Sequence, residues 1–316
     1  MAQTSPIPNE EGDIPLIIPS ISRPCFTHYR IYGDRSNSKS PPLVCVHGGP
    51  GAGGRSQRKL AVLWQRHGIP VGCGESTLLP ETNGDESFWQ VSLFIDELNN
   101  LLDHLGLRDG LGFHLYAASF GGYVACALAA TRPPGLQRLV LSSCIPSKEL
   151  SVQSFQEVKT ELPVEHQQAI DECGRTGVFD SPGMKEAFRY VVVHYLFRAV
   201  GGPVPQEMLD WAEKWNSESM VKNTMSGPSP FFNRGSMVGF TNVPHLHRIT
   251  APTLIFNGEF DTSSRDCAQR VFFEHIPKVR WVSFPGAGHD VLSASPAHLE
   301  RALKLIGDFL VPPTYN

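Results

Sequence analysis

The stretch Phe113-His-Leu-Tyr-Ala-Ala-Ser-Phe-Gly-Gly-Tyr-Val-Ala-Cys-Ala-Leu-Ala-Ala130 decides the fold. Phe113 to Ala117 reads as a strand. Gly121 to Ala130, a run of small residues stopped by Pro133-Pro134, reads as a tightly packed helix. Ser119 falls on the turn between them. A chain that reverses this sharply from strand to helix tolerates only small residues two before and two after the serine, and Ala117 and Gly121 meet that demand. Such a turn holds a serine hydroxyl clear of the sheet as a nucleophile. The alternative is a serine that merely caps the following helix.

Outward from this unit the pattern repeats. Leu43-Val-Cys-Val46 and Leu139-Val-Leu141 are short continuous apolar runs, as expected of strands buried on both faces. Ser92 to Leu105 carries a helical stripe of Phe94, Leu98, Leu101, Leu102 and Leu105, with Gly106 placed to cap its end. Further upstream, Pro15-Leu-Ile-Ile-Pro19 and Cys25 to Tyr32 read as strands, and the polar segment Ser36 to Ser40 as a loop. Alternating strands and helices imply an α/β fold with a mostly parallel central sheet and helices on both faces.

The alternation stops after Cys144. From Pro146 to about His245 the patterns are helical, as in Met184 to Ala199 and Pro205 to Trp215. Strands resume at Thr253 to Phe256 and Val279 to Phe284, and an amphipathic helix follows from Pro296 to Leu310 with Leu299, Leu303, Ile306 and Leu310 on its apolar face. The expected organisation is one sheet domain, residues 1–145 and 247–316, with an inserted helical lid over 146–246.

Two further segments complete a chemical set with Ser119. A hydroxyl is a poor nucleophile at neutral pH unless a base takes its proton, and an imidazole base must be held in the right tautomer by a carboxylate. Asp261 follows the strand Thr253 to Phe256 and is the expected acid by its spacing from that strand; Glu259 and Asp266 are the rivals. His289 follows the last strand through Pro285-Gly-Ala-Gly288, and none of the other eleven histidines occupies that loop. An ordinary turn aspartate and loop histidine are the alternatives. The order serine, acid, histidine is one of the known triad orders. His47-Gly-Gly-Pro-Gly51 follows the strand Leu43 to Val46 and would bring fixed N–H donors beside the serine. The expected oxyanion donors are the N–H of Gly48 or Gly49 and that of Phe120. No Gly-Lys-Ser/Thr follows to make this turn a phosphate loop, no ligand spacing suggests zinc, and no cofactor is implied.

Composition narrows the class. The chain has 316 residues, 41% hydrophobic and 18% charged, with a formal net charge of −4, and it has no basic run to favour nucleic acid. No apolar stretch is long enough to span a bilayer, and Met1 to Asn9 has no basic segment leading into an apolar one. Seven scattered cysteines without a CxxC pair suggest reduced, mostly buried thiols. A cytoplasmic protein acting on a small molecule or short peptide, with no membrane partner, is expected.

Taken together, Val46-His-Gly-Gly-Pro-Gly51, Leu115-Tyr-Ala-Ala-Ser-Phe-Gly-Gly122 and Asn257-Gly-Glu-Phe-Asp261 resemble the proline iminopeptidase family, which includes tricorn-interacting aminopeptidases and fungal L-amino acid amidases. The likeness covers nearly the whole chain, with support from Glu81 to Asp85, Phe94 to Leu98 and Thr224 to Pro228. It implies the α/β-hydrolase fold, a triad of Ser119, Asp261 and His289, and release of an N-terminal residue, or hydrolysis of an amino acid amide, through an acyl-enzyme.

Three departures from the family pattern bear on the substrate. Relatives with aminopeptidase activity commonly carry a Glu after the Gly-Pro-x triplet, and it helps bind the free amine; here Pro230 follows Gly227-Pro-Ser229. A second Glu often follows the catalytic Asp; here it is Thr262. Without them a counter-charge for an ammonium would have to come from other acids, such as Glu172, Glu207 or Glu213. Third, relatives carry a strand ending in Tyr-Asp-Gln before a Gly-x-Gly-x-Ser turn, whereas Gly68-Ile-Pro-Val71 runs straight into Gly72-Cys-Gly-Glu-Ser76. That implies a shortened strand beside the elbow. The two absent carboxylates favour, as an alternative activity, an esterase, amidase or tailoring hydrolase acting on a neutral small molecule, as in secondary metabolism. The shortened strand motivates the remaining alternative, a degenerate, non-catalytic binding protein.

Overall fold

The computed structural model describes residues 7–33, 40–53, 56–62, 66–68 and 76–311. Eight strands form one sheet: β1 (Glu10–Leu16), β2 (Cys25–Ile31), β3 (Leu43–Val46), β4 (Arg66–Gly68), β5 (Phe113–Ala118), β6 (Leu136–Ser142), β7 (Thr253–Gly258) and β8 (Val279–Phe284). Their order is β1-β2-β4-β3-β5-β6-β7-β8. The two β1 and β2 ladders are antiparallel, and every pairing from β4 to β8 is parallel.

The two-residue period of a strand splits the core in two. Val44, Val46, Leu115, Ala117, Leu139, Leu141 and Ile255 point to one face, where they pack with α1 (Val91–His104), α2 (Gly121–Ala130) and α8 (Asp266–His275). Leu43, Cys45, Tyr116, Val140, Leu254 and Phe256 point to the other, against Val291, Leu292 and Ala294 of α9 (Val291–Ala294) and Ala302, Ile306 and Leu310 of α10 (Pro296–Leu310). Helix α1 ends as expected at a left-handed Gly106: its N–H bonds Asp103 O at 3.0 Å, and the Leu107 N–H bonds Leu102 O at 2.9 Å.

Three readings need correction. The first strand is not Pro15 to Pro19 but Glu10 to Leu16, because pairing with β2 decides the register and leaves Ile17 90% exposed. Its polar residues face solvent and pair across the ladder: Asp13 Oδ1 with His28 Nδ1 at 2.9 Å, and Glu11 Oε2 with Arg30 Nε at 3.0 Å. The helix read from Met184 to Ala199 is α5 (Pro182–Val191), and it widens into a single π turn over Val192–Leu196. The shortened strand is the three-residue β4. It lies one strand away from β5, beyond β3, rather than beside the elbow. The junction at 69–75, with Cys73, and the loop residues 36–39 lie outside the described residues.

Between β6 and β7 the chain is helical: α3 (Lys148–Glu161), α4 (Val164–Thr176), α5, α6 (Gln206–Glu218) and α7 (Met220–Ser226). An isolated bridge from Ser147 to Thr241 draws the two ends of this segment together. Val158, Ile170, Cys173, Met184 and Val191 form a separate small core inside it, whereas Val221 and Met225 of α7 join the main core under α2. Serines begin four helices: Ser147, Ser181, Ser219 and Ser295 each accept a backbone N–H at the first turn. Six described cysteines are free thiols, five of them buried. Among the described residues no helix is long and apolar enough to cross a membrane.

Candidate active site

Five neighbouring parallel strands deliver the site from their carboxyl ends, where open α/β sheets place ligands. β3 runs into His47 to Gly51, β5 into Ser119, β6 into Ser143, β7 into Asp261 and β8 into His289.

Ser119 sits in the left-handed region with φ 51°. The residue at the N-cap of α2 is Phe120, without a side-chain cap, so Ser119 does not act as a helix cap. The strain of the turn is held by close packing. A Cβ on Gly121 would lie 2.7 Å from Val46 O, and one on Gly122 would lie 2.4 Å from Cys144 Cβ. Gly48 presses its main chain against the serine from the other side, where a Cβ would stand 3.0 Å from Ser119 Cβ. Among the described residues none of the N–H groups of Gly48, Gly49 and Phe120 is used in a hydrogen bond.

Asp261 is fully buried. Its Oδ1 accepts from His289 Nδ1 at 2.6 Å and from the N–H of Ser263 and Ser264 at 3.1 Å each. Burial pushes this carboxyl upward, but the His289 charge and hydrogen bond outweigh it and hold the group below its usual range. Burial likewise pushes His289 down, and Asp261 more than compensates, so the imidazole ends above 6.5. Two glycines let these loops meet: a Cβ on Gly258 would lie 2.1 Å from Gly288 O, and one on Gly288 would lie 2.2 Å from Tyr195 O.

The rival acids do other work. Glu259 Oε2 accepts from Gly286 N–H at 2.8 Å and braces the turn before His289, while Asp266 opens α8. His47 is buried, pairs through Nδ1 with Gly48 O at 2.6 Å and is held by burial near about 4, so it shapes the glycine turn as a neutral ring.

Ser119, His289, Gly48, Gly49 and Phe120 line one cavity of about 1370 Å³. No hydrogen bond joins Ser119 to His289 among the described residues; such contacts often tighten only with substrate bound. Pro230 and Thr262 line the same cavity. Of the acids considered as substitutes for a lost carboxylate, Glu207 lines it, whereas Glu172 pairs with Arg175 at 2.6 Å on the surface and Glu213 is not on its wall. Trp211 and Trp215 of α6 stack at 5.9 Å, and Trp215 Nε1 donates to Pro50 O at 3.0 Å.

Three features escaped the sequence. Ser143, at φ 51°, donates through Oγ to His289 O at 2.7 Å; its place at the end of a buried strand was the available signal. The π turn receives the N–H of His289 on Tyr195 O at 2.8 Å and that of Asp290 on Leu196 O at 2.9 Å, and no local pattern announces this. Lys148 and Lys222, both buried, also line the cavity.

The family model for the alpha/beta hydrolase fold matches residues 41–296. A proline iminopeptidase of Lactobacillus helveticus (strain DPC 4571) is 30% identical over 278 residues, covering 83% of this chain and 87% of the relative. The chain belongs to the proline iminopeptidase family of α/β hydrolases. Solved structures agree with membership of this family. The proline iminopeptidase of Mycobacterium smegmatis superposes with a TM-score of 0.79 at 27% identity, covering 95% of this chain and 97% of that one. VinJ superposes at 0.83 and 28%, covering 96% and 99%.

Proposed function

We propose that this proline iminopeptidase homologue is a serine hydrolase working through an acyl-enzyme. Ser119 attacks the substrate carbonyl, His289 takes the hydroxyl proton and returns it to the leaving group, and Asp261 fixes the imidazole with its proton on Nδ1. The N–H of Phe120 and of Gly48 or Gly49 stabilise the oxyanion, since they are donors with no other bond to give up. The observation that carries this reading is the 2.6 Å His289–Asp261 contact, on a cavity shared with a serine at φ 51°. A fluorophosphonate probe tests it. Wild type should label at Ser119 and hydrolyse simple esters and amides, and Ser119→Ala should do neither. Labelling that persists in the variant ends the assignment.

The reaction is cleavage of an N-terminal residue or an amino acid amide, or of an ester or amide without a free amine. Pro230 and Thr262 on the cavity wall favour the second, because neither offers a charge to an ammonium. Comparing an aminoacyl amide with its N-acetylated form separates the two: strong preference for the free amine would refute the second reading.

A further inference from the structure

The cavity wall carries a buried charge that the triad does not use. Lys148 is 4% exposed, opens α3 directly after its capping Ser147, and lines the cavity. Among the described residues its ammonium has no hydrogen bond and no ion pair. The adjacent carboxylate, Glu149, accepts instead from Gly239 N–H at 3.1 Å. A largely buried lysine whose charge meets no protein partner and borders the cavity calls for an explanation. Burial lowers this lysine to about 8, which leaves it mostly charged at neutral pH.

A second lysine strengthens the field. Lys222 is 3% exposed and also on the wall. Its Nζ donates to Asn216 Oδ1 at 2.8 Å and Pro228 O at 3.0 Å, and lies 3.2 Å from both Asn216 O and Asn223 Oδ1. All four are neutral acceptors. Burial and the charge of Lys148 together push Lys222 down to about 7. The carboxylates on the wall, Glu207, Asp290 and Glu300, are all at least partly exposed, as are Arg58 and Lys59, whereas the two charged side chains buried there are lysines.

We propose that the substrate carries a carboxylate and that Lys148 binds it, so that the cavity selects anionic esters or amides over cationic ones. This rests on the hydrolase reading for the reaction itself, while binding can be measured without turnover. A carboxylate against Lys148 supplies the missing partner at a largely buried side chain, where a charge-assisted hydrogen bond is stronger than one in open solvent. An ammonium there would be repelled by two lysines. The carboxylate belongs either to the acyl part, as in a dicarboxylic hemiester, or to the leaving part, as in a peptide with a free C-terminus.

The test uses the full chain as Ser119→Ala, titrated calorimetrically with two matched pairs: a glutarate hemiester against its methyl ester, and an N-acetyl dipeptide acid against its amide. The acid member of at least one pair should bind about tenfold to a hundredfold tighter. Lys148→Met in the same background should erase that preference, and Lys148→Arg should keep it. Which pair responds tells where the carboxylate sits. Lys148→Met should melt no lower than its parent, because an unpaired buried charge has been replaced by an apolar chain of similar length. No preference in either pair, or a preference that Lys148→Met leaves intact, overturns the proposal. Turnover by wild type without carboxylate preference in binding also overturns it alone. Selective binding by Ser119→Ala with no turnover by wild type would instead sink the hydrolase reading and leave this one standing.

Discussion

Replacing Asp261 with Asn removes a single charge where the geometry allows the clearest reckoning. The carboxylate oxygen Oδ1 serves three donors, the His289 ring at 2.6 Å and two backbone N–H groups at 3.1 Å. An amide of the same shape cannot serve all three donors as the carboxylate oxygen does. With its NH2 group turned to the His289 ring it gives up the two backbone N–H bonds, can only donate to Nδ1, and drives the imidazole to carry its proton on Nε2. In that tautomer the ring cannot take the Ser119 proton. The expected loss in kcat is about 10⁴-fold, the effect of this change in a Ser-His-Asp protease, or about 5 kcal/mol at 1.36 kcal/mol per decade. A second signature follows from charge. Burial alone would hold His289 below 6.5, and Asp261 raises it above. The acid limb of kcat/KM should therefore lie above pH 6.5 in wild type and drop below it in the residual activity of the variant. The assay is kcat/KM on an activated ester from pH 5 to 9, with Glu259→Gln as a control that loosens only the brace on Gly286 and costs a few-fold at most. A loss under tenfold for Asp261→Asn, or an acid limb that stays in place, refutes the reasoning.

Gly48→Ala would set a methyl 3.0 Å from Ser119 Cβ and 3.3 Å from Ala118 O, so kcat should fall at least tenfold while the melting temperature moves only a few degrees; unchanged kcat would show that the main chain can retreat. Gly258→Ala forces a Cβ to within 2.1 Å of Gly288 O, a clash between two main chains, and should cost about 1–3 kcal/mol in urea unfolding together with activity. His47 is buried and neutral with its ordinary 6.5 lowered to about 4. The unfolded chain therefore binds the extra proton, and stability drains away as pH falls from 6.5 toward 4, by about 3 kcal/mol at the limit. His47→Gln should flatten that part of the stability curve, and an identical slope in both proteins would assign the acid sensitivity elsewhere.

Legibility in the sequence followed burial. Leu43 to Val46 is buried along its whole length, so its apolar run announced a strand with the right bounds. The small residues of Gly121 to Ala130 announced a helix pressed against the sheet. β1 was misread because it lies at a sheet edge, where half its residues are polar and only the ladder with β2 settles the register. β4 offered three residues, Arg66-His-Gly68, with no apolar pattern at all. Helix α8 went unread because it has just three buried side chains, Ala268, Gln269 and Phe272, one of them polar. The meeting of the candidate residues Ser119, Asp261 and His289 at strand ends was legible because loop position and residue type agree there. Lys148 was not, since a lysine at the start of a helix is ordinarily a solvated one.

The π turn has a practical consequence for anyone recombining lids among relatives. Tyr195 O and Leu196 O accept the N–H groups of His289 and Asp290, Val200 N–H reaches Ala294 O at 2.7 Å, and Arg198 Nε reaches Gly286 O at 3.2 Å. Residues 195–200 thus travel with the histidine loop rather than with the helices that precede them. A chimera spliced on either side of the lid would import a foreign strap against a native imidazole. Crossovers that exchange 195–200 and 285–294 together keep the two halves of that seam from one parent.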